Sequence, residues 1–349
     1  MCGQPRDNEI RARPYPNCYV CGAKGQMLYQ GLRDHLFSAP GKWDFKECPR
    51  PECGLLWLDP MPLEEEIGKA YQDYYTHQMI PSTKDTPARQ VYRFVKRGYL
   101  AHKYGYYGRP LTSWNRLLSL LIYLHPGRRA DFDFSVMYLP AQTNGRLLEV
   151  GCGNGWMLKS MQDLGWEVRG VDRDPVAVQY AKGQGLEVCL GTLETQRNSA
   201  NYFDAVTMSH VIEHVHDPLR LLTESHRVLK AGGRLVVVTP NSKSWGHKLF
   251  KEAWRGLEPP RHLHVFTPSA LRNLAEKAGF RKSYVSTTIR DANELFIASQ
   301  ALRSWSKSAS NPQPPRALRM KARGMQLMEW LLLKVRPDLG EEIVLIGEK

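Results

Sequence analysis

The order of apolar and polar positions changes character along the chain. Between Cys18 and Pro62, short apolar runs alternate with turn residues, and Met61-Pro62 closes the stretch before an acidic start at Glu64; this predicts a small β-rich module. From Gly145 onward, runs such as Leu147-Leu148-Glu149-Val150 and Val168-Arg169-Gly170-Val171 alternate with segments of helical periodicity, as stacked βαβ units of a parallel sheet require. One segment places Met157, Leu158, Met161 and Leu164 on a single helical face. Another opens at Asp217-Pro218, an N-cap followed by proline at the first helical position. It is expected to stop at Gly232-Gly233, ahead of a strand at Leu235-Val236-Val237-Val238. A helix after Thr267-Pro268 and a final strand around Ile343 to Ile346 follow, with a proline-rich loop at Asn311 to Pro315 and no internal repeat. The expected fold is α/β. Its segments are a β-rich module at 1–62, a basic tyrosine-rich helical segment at 63–141, a Rossmann-like core at 142–290, and basic helices with a last core strand at 291–349.

Length and charge sharpen this picture. The 349 residues hold a catalytic-size core with an accessory module to spare. No leader and no apolar run near the ~18–20 residues of a membrane span is evident, so a soluble, cytoplasmic protein is expected. The net charge of +13 is unevenly placed. Between Pro81 and Ala130 there are ten Lys/Arg against one acid, Asp85, and between Arg303 and Arg336 eight against one, Glu329. The remaining sequence is slightly acidic, so any anionic partner is met at those two segments.

A further signal is Glu149-Val150-Gly151-Cys152-Gly153-Asn154-Gly155, where an apolar strand runs into a G-x-G-x-G turn and then a helix. Glycines let the backbone turn sharply and approach a ligand closely. Asp172 ends the next strand, about 20 residues on, where an acid can accept both ribose hydroxyls of an adenosine. Spacing alone does not separate a nicotinamide enzyme from a methyltransferase. The run Leu147 to Leu158, with Glu149 inside its strand, resembles motif I of the class I S-adenosylmethionine-dependent methyltransferases. Tyr202-Phe203-Asp204-Ala205-Val206, followed by His210-Val211-Ile212-Glu213-His214, is similar to their fourth-strand motif. The resemblance implies that Glu149, Gly151 and Gly153 lie beside the methionine part of the cofactor, with Cys152 and Gly155 also in the cofactor-binding loop. It puts Asp172 on the ribose, Thr192-Leu193 beside the adenine and Ser209 at the methionine end.

Seven cysteines, concentrated at one end, suit a metal site better than a disulfide framework. Cys18-x2-Cys21 and Cys48-x4-Cys53 are each followed by glycine, Gly22 and Gly54, a pairing able to present four thiolates tetrahedrally to a structural zinc. Cys152 and Cys189 are expected to serve chiefly as core residues. Amino-terminal ribbons of this look occur on bacterial methyltransferases that modify sugars and cell-surface glycans, and the resemblance implies such an acceptor.

Candidate chemistry for the acceptor lies in His210, Glu213 and His214, joined by Arg261-His262-Leu263-His264. In a parallel sheet both stretches reach carboxyl ends of strands, where ligands bind. One of these imidazoles could remove the proton of an attacking hydroxyl. Alternatively Glu213, His214 and a later histidine could hold a divalent metal, as in the E-x-x-E-H pattern of quinone-pathway and small-RNA O-methyltransferases, although His210 stands where their first glutamate does. A third reading has the pair merely ordering the cofactor loop. Arg261 could clamp an acceptor phosphate or carboxylate.

Tyrosines between Tyr71 and Tyr107 are interleaved with Arg89, Arg93, Lys96, Arg97 and Lys103, and an apolar run spans Trp114 to Tyr123. A second basic run, Arg319 to Arg323, leads into Met325 to Leu333. Both stretches are expected to cover the acceptor pocket, with peripheral contact to an anionic membrane at the inner surface as the competing role. The expected partner is an anionic sugar or glycan precursor. Ribosomal or transfer RNA is the alternative, disfavoured because no RNA module is present, and a non-catalytic cofactor- or glycan-binding module is a third possibility.

Overall fold

The computed structural model describes residues 9–71, 86–107, 119–304 and 314–349. The amino-terminal strands are β1 (Ala12–Arg13), β2 (Gln26–Leu32), β3 (Trp43–Glu47), β4 (Leu56–Leu58) and β5 (Met61–Pro62). Helices α1 (Pro87–Tyr104) and α2 (Pro126–Phe134) follow. The core continues with β6 (Arg146–Val150), α3 (Trp156–Asp163), β7 (Glu167–Asp172), α4 (Pro175–Gly183), β8 (Val188–Leu190), β9 (Phe203–Ser209), α5 (Pro218–Val228) and β10 (Leu229–Pro240). The remaining elements are α6 (Trp245–Phe250), β11 (His264–Val265), α7 (Pro268–Lys277), β12 (Lys282–Thr288), α8 (Ala292–Arg303), α9 (Arg316–Leu332) and β13 (Glu342–Glu348).

The apolar runs read from the sequence form a seven-stranded mixed sheet in the order β12-β13-β10-β9-β6-β7-β8. From β6 the chain builds outward through β7 and β8 on one side, then returns to place β9 on the other. β6 is parallel to both β7 and β9, so the order reverses at β6, where the carboxyl ends of the strands open a crevice. Leu147, Leu148 and Val150 are buried on β6, as a strand covered on both faces demands, and each such side chain contributes ~1.5–3 kcal/mol. Met157, Leu158 and Met161 of α3 are likewise buried. Asp217 caps α5 by accepting the Arg220 N–H at 2.9 Å, and Thr267 caps α7 by accepting that of Ala270 at 3.0 Å.

Two expectations change. The strand expected at Leu235 begins at Leu229 and runs through the glycines that were expected to precede it. Gly232 absorbs a bend at φ 74°, while the Gly232 N–H and Gly233 carbonyl pair with Lys349, so the glycines bend a strand instead of ending a helix. The apolar run from Trp114 lies mostly outside the described residues, and its tail, Leu121–Leu124, forms a single 3-10 turn.

The chain falls into two compact units. Met1–Tyr75, His210–Thr223 and Val237–Leu345 make the first; Thr76–Ser209, Glu224–Val236 and Ile346–Lys349 make the second. In the first, β2, β3 and β4 form an antiparallel sheet completed by β11, so a distant stretch of chain pairs with the cysteine-bearing segment. The Lys277 ammonium donates to the Val20 carbonyl, the Tyr19 hydroxyl to Asp217, and His216 bonds the Pro62 carbonyl at 2.8 Å. Also in this unit, α9 buries Ala322 and Glu329 while exposing Met320, Leu327, Met328 and Leu331 on its opposite face, within roughly a 100° arc. Lys321 and Arg323 flank that apolar face. Among the described residues no helix is long and apolar enough to cross a membrane.

Candidate active site

The second unit holds the glycine turn. β6 delivers Glu149 and then Gly151, Gly153 and Gly155, all at positive φ. At Gly155 an added Cβ would stand 2.5 Å from Leu186 and 3.1 Å from Ala181, so glycine is demanded both by conformation and by the approach of α4. The Asp172 carboxylate, at the end of β7, accepts the Gly153 N–H at 2.7 Å and the Asp174 N–H at 2.8 Å. Glycine loop and acid are thereby locked together, and burial raises the Asp172 pKa.

Glu149 is 5% exposed, and its Oε2 has no hydrogen-bond partner. Burial and the neighbouring Asp172 carboxylate push it up to about 8. A buried carboxylate with one unpartnered oxygen beside a glycine turn suits a cationic ligand group. Thr192, after β8, caps the short 3-10 turn Leu193–Thr195, and Leu193 is fully buried. Ser209 is the last residue of β9. Cys152 is buried, and a Cβ on Gly170 would come 2.7 Å from its Sγ, so the thiol fills space against β7.

The first unit holds the histidines, and here tertiary partners decide each role. Glu213 is fully buried; its Oε2 accepts the Thr239 hydroxyl at 2.9 Å and its Oε1 lies 3.2 Å from His210 Nδ1. Burial alone would raise its pKa, but the His210 hydrogen bond and charge hold it down to about 2. His210, at φ 54°, also meets Glu342 Oε1 through Nε2 at 2.8 Å. Against the effect of burial, the two carboxylates raise it to about 10, so it is an imidazolium at neutral pH and has no lone pair to act as a base. Arg290 completes the set by donating to both oxygens of Glu342.

His214 donates from Nδ1 to the Arg261 carbonyl at 3.0 Å, with the Tyr71 hydroxyl also 3.0 Å away. A carbonyl can only accept, so Nδ1 is the donor of that pair. His262 repeats the arrangement, Nδ1 donating to the Gly256 carbonyl at 2.8 Å, and its ring lies 4.7 Å from that of His214. Burial and His214 lower the His262 pKa to about 4, keeping it neutral. Ligand atoms of Glu213, His214 and His262 lie within 4.8 Å of one another. His264 does not join them. It sits on β11 opposite Trp57, with Tyr19 5.4 Å from its ring, no exposed surface and no hydrogen bond to either nitrogen; burial lowers it to about 3.

Arg261 corrects an expectation. Its guanidinium is fully buried and committed to Glu258 at 2.8 Å, Asp34 at 2.9 Å and the Ala70 carbonyl at 2.9 Å, so it presents no exposed face to an acceptor phosphate. Sequence reasoning missed Glu342, Arg290, Asp34 and Glu258, and it named Tyr71 only as part of the tyrosine-rich segment. Nothing local marks them.

The four cysteines also gather in this unit. Cys18 and Cys53 Sγ are 3.6 Å apart, Cys21 and Cys48 3.3 Å, and all four lie within 4.8 Å. A tetrahedral zinc with ~2.3 Å bonds spaces its sulfurs about 3.8 Å apart. Gly22 and Gly54 adopt positive φ after each pair, and the Gly22 and Gly54 N–H groups donate back to the carbonyls of Cys18 and Arg50. The Cys53 hydrogen bond pulls Cys18 down to about 5, while burial pushes Cys48 up to about 11. A dication is what would let four thiols this close ionise together. The cluster is compatible with a structural zinc.

A glycine turn and an acid at the switch point of a doubly wound sheet define a nucleoside-cofactor-binding α/β protein. A family model described as a methyltransferase domain matches residues 128–285. The ubiquinone biosynthesis O-methyltransferase of Ruegeria sp. is 36% identical over 162 residues, which cover 41% of this chain and 65% of that protein. A protein of the same name from Cereibacter sphaeroides is 33% identical over 200 residues, covering 50% and 81%. A solved S-adenosylmethionine-dependent methyltransferase from Mesorhizobium loti aligns at 18% identity with a TM-score of 0.45, over 63% of this chain and 98% of that one. The chain belongs to the S-adenosylmethionine-dependent methyltransferases.

Proposed function

We propose that the protein methylates a hydroxyl oxygen of a sugar or glycan precursor, with His214 as general base. The observation that carries this is the contact of His214 Nδ1 with the Arg261 carbonyl at 3.0 Å, which fixes the ring's orientation and, in a neutral imidazole, leaves Nε2 as the nitrogen that can take a proton. Support for oxygen as the methylated atom comes from the relatives, which are named O-methyltransferases. When bound, S-adenosylmethionine supplies a methyl group on a sulfonium centre. The residues that would hold it are Glu149, Gly151, Cys152, Gly153 and Gly155 with Asp172, Thr192, Leu193 and Ser209. Asp172 would accept the ribose hydroxyls, and Glu149 would face the cationic methionine end. His214 Nε2 takes the acceptor proton as the oxygen–methyl bond forms; the buried Glu213 carboxylate stabilises the resulting imidazolium, and His210 keeps that carboxylate ionised. Cys18, Cys21, Cys48 and Cys53 hold a structural zinc.

A second reading is favoured by the closeness of Glu213, His214 and His262. Two imidazoles and a carboxylate form a donor set suited to a divalent metal, which would lower the acceptor hydroxyl pKa directly. The cationic segments support an anionic acceptor, and the apolar outer face of α9 with its flanking cations supports peripheral contact with an anionic bilayer. Methyl transfer from labelled cofactor to nucleotide sugars, lipid-linked sugars and RNA tests the acceptor, with flotation on anionic liposomes at low and high salt beside it. Transfer confined to RNA overturns the glycan assignment. Activity abolished by a chelator that leaves the ribbon zinc bound selects the metal reading over the base.

A further inference from the structure

Both cysteine pairs are bonded to the segments that carry the histidine cluster, and all of these residues belong to the first unit. Between Cys18 and Cys21, the Tyr19 hydroxyl donates to Asp217 and accepts the Leu219 N–H at 3.3 Å, just beyond His214. Its neighbour Val20 accepts from the Lys277 ammonium of α7. At the second pair, the Cys53 carbonyl accepts the hydroxyl of Thr267, the cap of α7. Cys48 donates its N–H to the Leu55 carbonyl at 2.9 Å, and β4, which follows, pairs with β11 through Leu56 opposite Val265 and Trp57 opposite His264. At the end of β4 the Leu58 N–H meets the Leu263 carbonyl at 3.1 Å, while the Leu263 N–H donates to the Glu213 carbonyl at 2.8 Å. A single residue next to His262 thus joins the cysteine-bearing sheet to the acid of the cluster. A third tie runs through Asp34, on the turn between β2 and β3: it holds the Arg261 guanidinium at 2.9 Å, and the Arg261 carbonyl lies 3.0 Å from His214 Nδ1. Leu56, Trp57 and Leu58 are each at most 1% exposed although a strand turns successive side chains to opposite faces, so β4 is covered on both. A module of this size standing alone would leave a face and an edge of its sheet to water.

We infer that the four-cysteine module is the clamp that sets His214 against His262, with Tyr19 as a positioning residue, so that zinc held by the cysteines builds the histidine cluster. The chemical role of that cluster rests on the reading above; the clamp adds a task for the metal beyond folding its own segment. Ligand atoms of Glu213, His214 and His262 come within 4.8 Å of one another from two separate stretches of chain. A misplacement of about 1 Å in such a set can cost roughly 100-fold in rate. The two-residue strand β11 has too few ladder bonds to hold that spacing by itself, so its place follows whatever fixes β4. Four metal–sulfur bonds would fix β4 at Cys48 and Cys53 and the Tyr19 turn at Cys18 and Cys21. The glycine turn and Asp172 are built within the second unit by bonds of their own, so the clamp is expected to govern the histidines and not the affinity for cofactor.

Hydrogen exchange of the full zinc-loaded chain, read by mass spectrometry, tests this together with imidazole nitrogen spectra and calorimetry of S-adenosylhomocysteine. Tyr19→Phe deletes one hydroxyl, keeps the ring and all four cysteines, and is expected to fold with one zinc per chain. It should shift the nitrogen signals of His214, assigned through His214→Gln, and speed exchange of residues 215–221 at least tenfold, with affinity for S-adenosylhomocysteine changed less than twofold. The double variant Cys48→Ser, Cys53→Ser should lose zinc and exchange at least tenfold faster across 210–219 and 259–268, while residues 146–160 exchange as in the wild type. Zinc lost with both histidine segments unchanged would make the module an independent one and overturn the inference. Should the double variant unfold altogether, Tyr19→Phe decides alone: unshifted His214 signals, or a shift accompanied by loss of S-adenosylhomocysteine binding, sink the clamp. Full turnover in His214→Ala would remove the base assignment instead, and leaves these readouts as they are.

Discussion

Two buried glutamates sit just before and just after carboxyl ends of neighbouring strands, and they are in opposite states. Glu149, in the second unit, has an unpartnered oxygen and is pushed up to about 8. Glu213, in the first, accepts from Thr239 and contacts His210, and is held down to about 2. Burial is equally severe for both, so partners alone make the difference. An acid left unsatisfied marks a place where a ligand is to supply the missing charge. An acid satisfied from several sides marks a frame already built, whose task is to hold another group in place.

The most severe way to break the built side is to take apart its four-cysteine cluster. Replacing Cys48 and Cys53 by serine should reduce zinc from one per chain to near zero and open the first ~60 residues to protease, since structural zinc in small modules contributes ~10–16 kcal/mol to folding. Elemental analysis with limited proteolysis reads this; a wild-type protein without zinc and with a protease-resistant ribbon would sink the assignment.

Next in size is the base. His214→Ala should lower turnover by ~100–10,000-fold while cofactor affinity stays constant, because in the proposed role the imidazole acts on the acceptor proton and not on the cofactor. Full turnover in that variant refutes the assignment. On the cofactor side, Asp172→Ala removes charge-assisted contacts and should weaken cofactor binding by ~1.5–3 kcal/mol by calorimetry. Unchanged affinity takes Asp172 out of the site.

These two sides were not equally legible in the sequence. The glycine turn, Asp172 and the cysteine pairs are local: strand, turn and spacing lie within a few tens of residues, and βαβ geometry brings the turn to Asp172 without outside help. The histidines were visible as residues but not as roles. His262 and His264 are two apart, yet one reaches His214 while the other is sealed on β11 against Tyr19. His210 could be read as a base until Glu342, 132 positions away, turned it into a cation. Arg261 read as a phosphate clamp because Asp34, 227 positions away, carries no pattern that predicts the pair. Long-range charge pairing has no periodicity to betray it.

The smallest expected effect bears most directly on the comparison. With its pKa near 8, Glu149 is mostly protonated at pH 7 in the free protein. A cationic cofactor group beside it favours the carboxylate, so binding should release a fraction of a proton. The sign follows from the raised pKa. Release is expected between the ordinary carboxylate value near 4.5 and about 8; it fades above that range because the free protein is already ionised, and below it because the bound form stays protonated. The same shift makes the folded state bind more protons than the unfolded one in this window, so Glu149 weakens stability as pH rises through it. Titration calorimetry at pH 7 in buffers of different ionisation enthalpy should show proton release for the wild type and none for Glu149→Gln. That variant should also be more stable than the wild type at pH 8.5, since its amide imitates the protonated acid. Proton uptake on binding, or release undiminished in Glu149→Gln, would show that the unsatisfied carboxylate is not where the cofactor's charge is received.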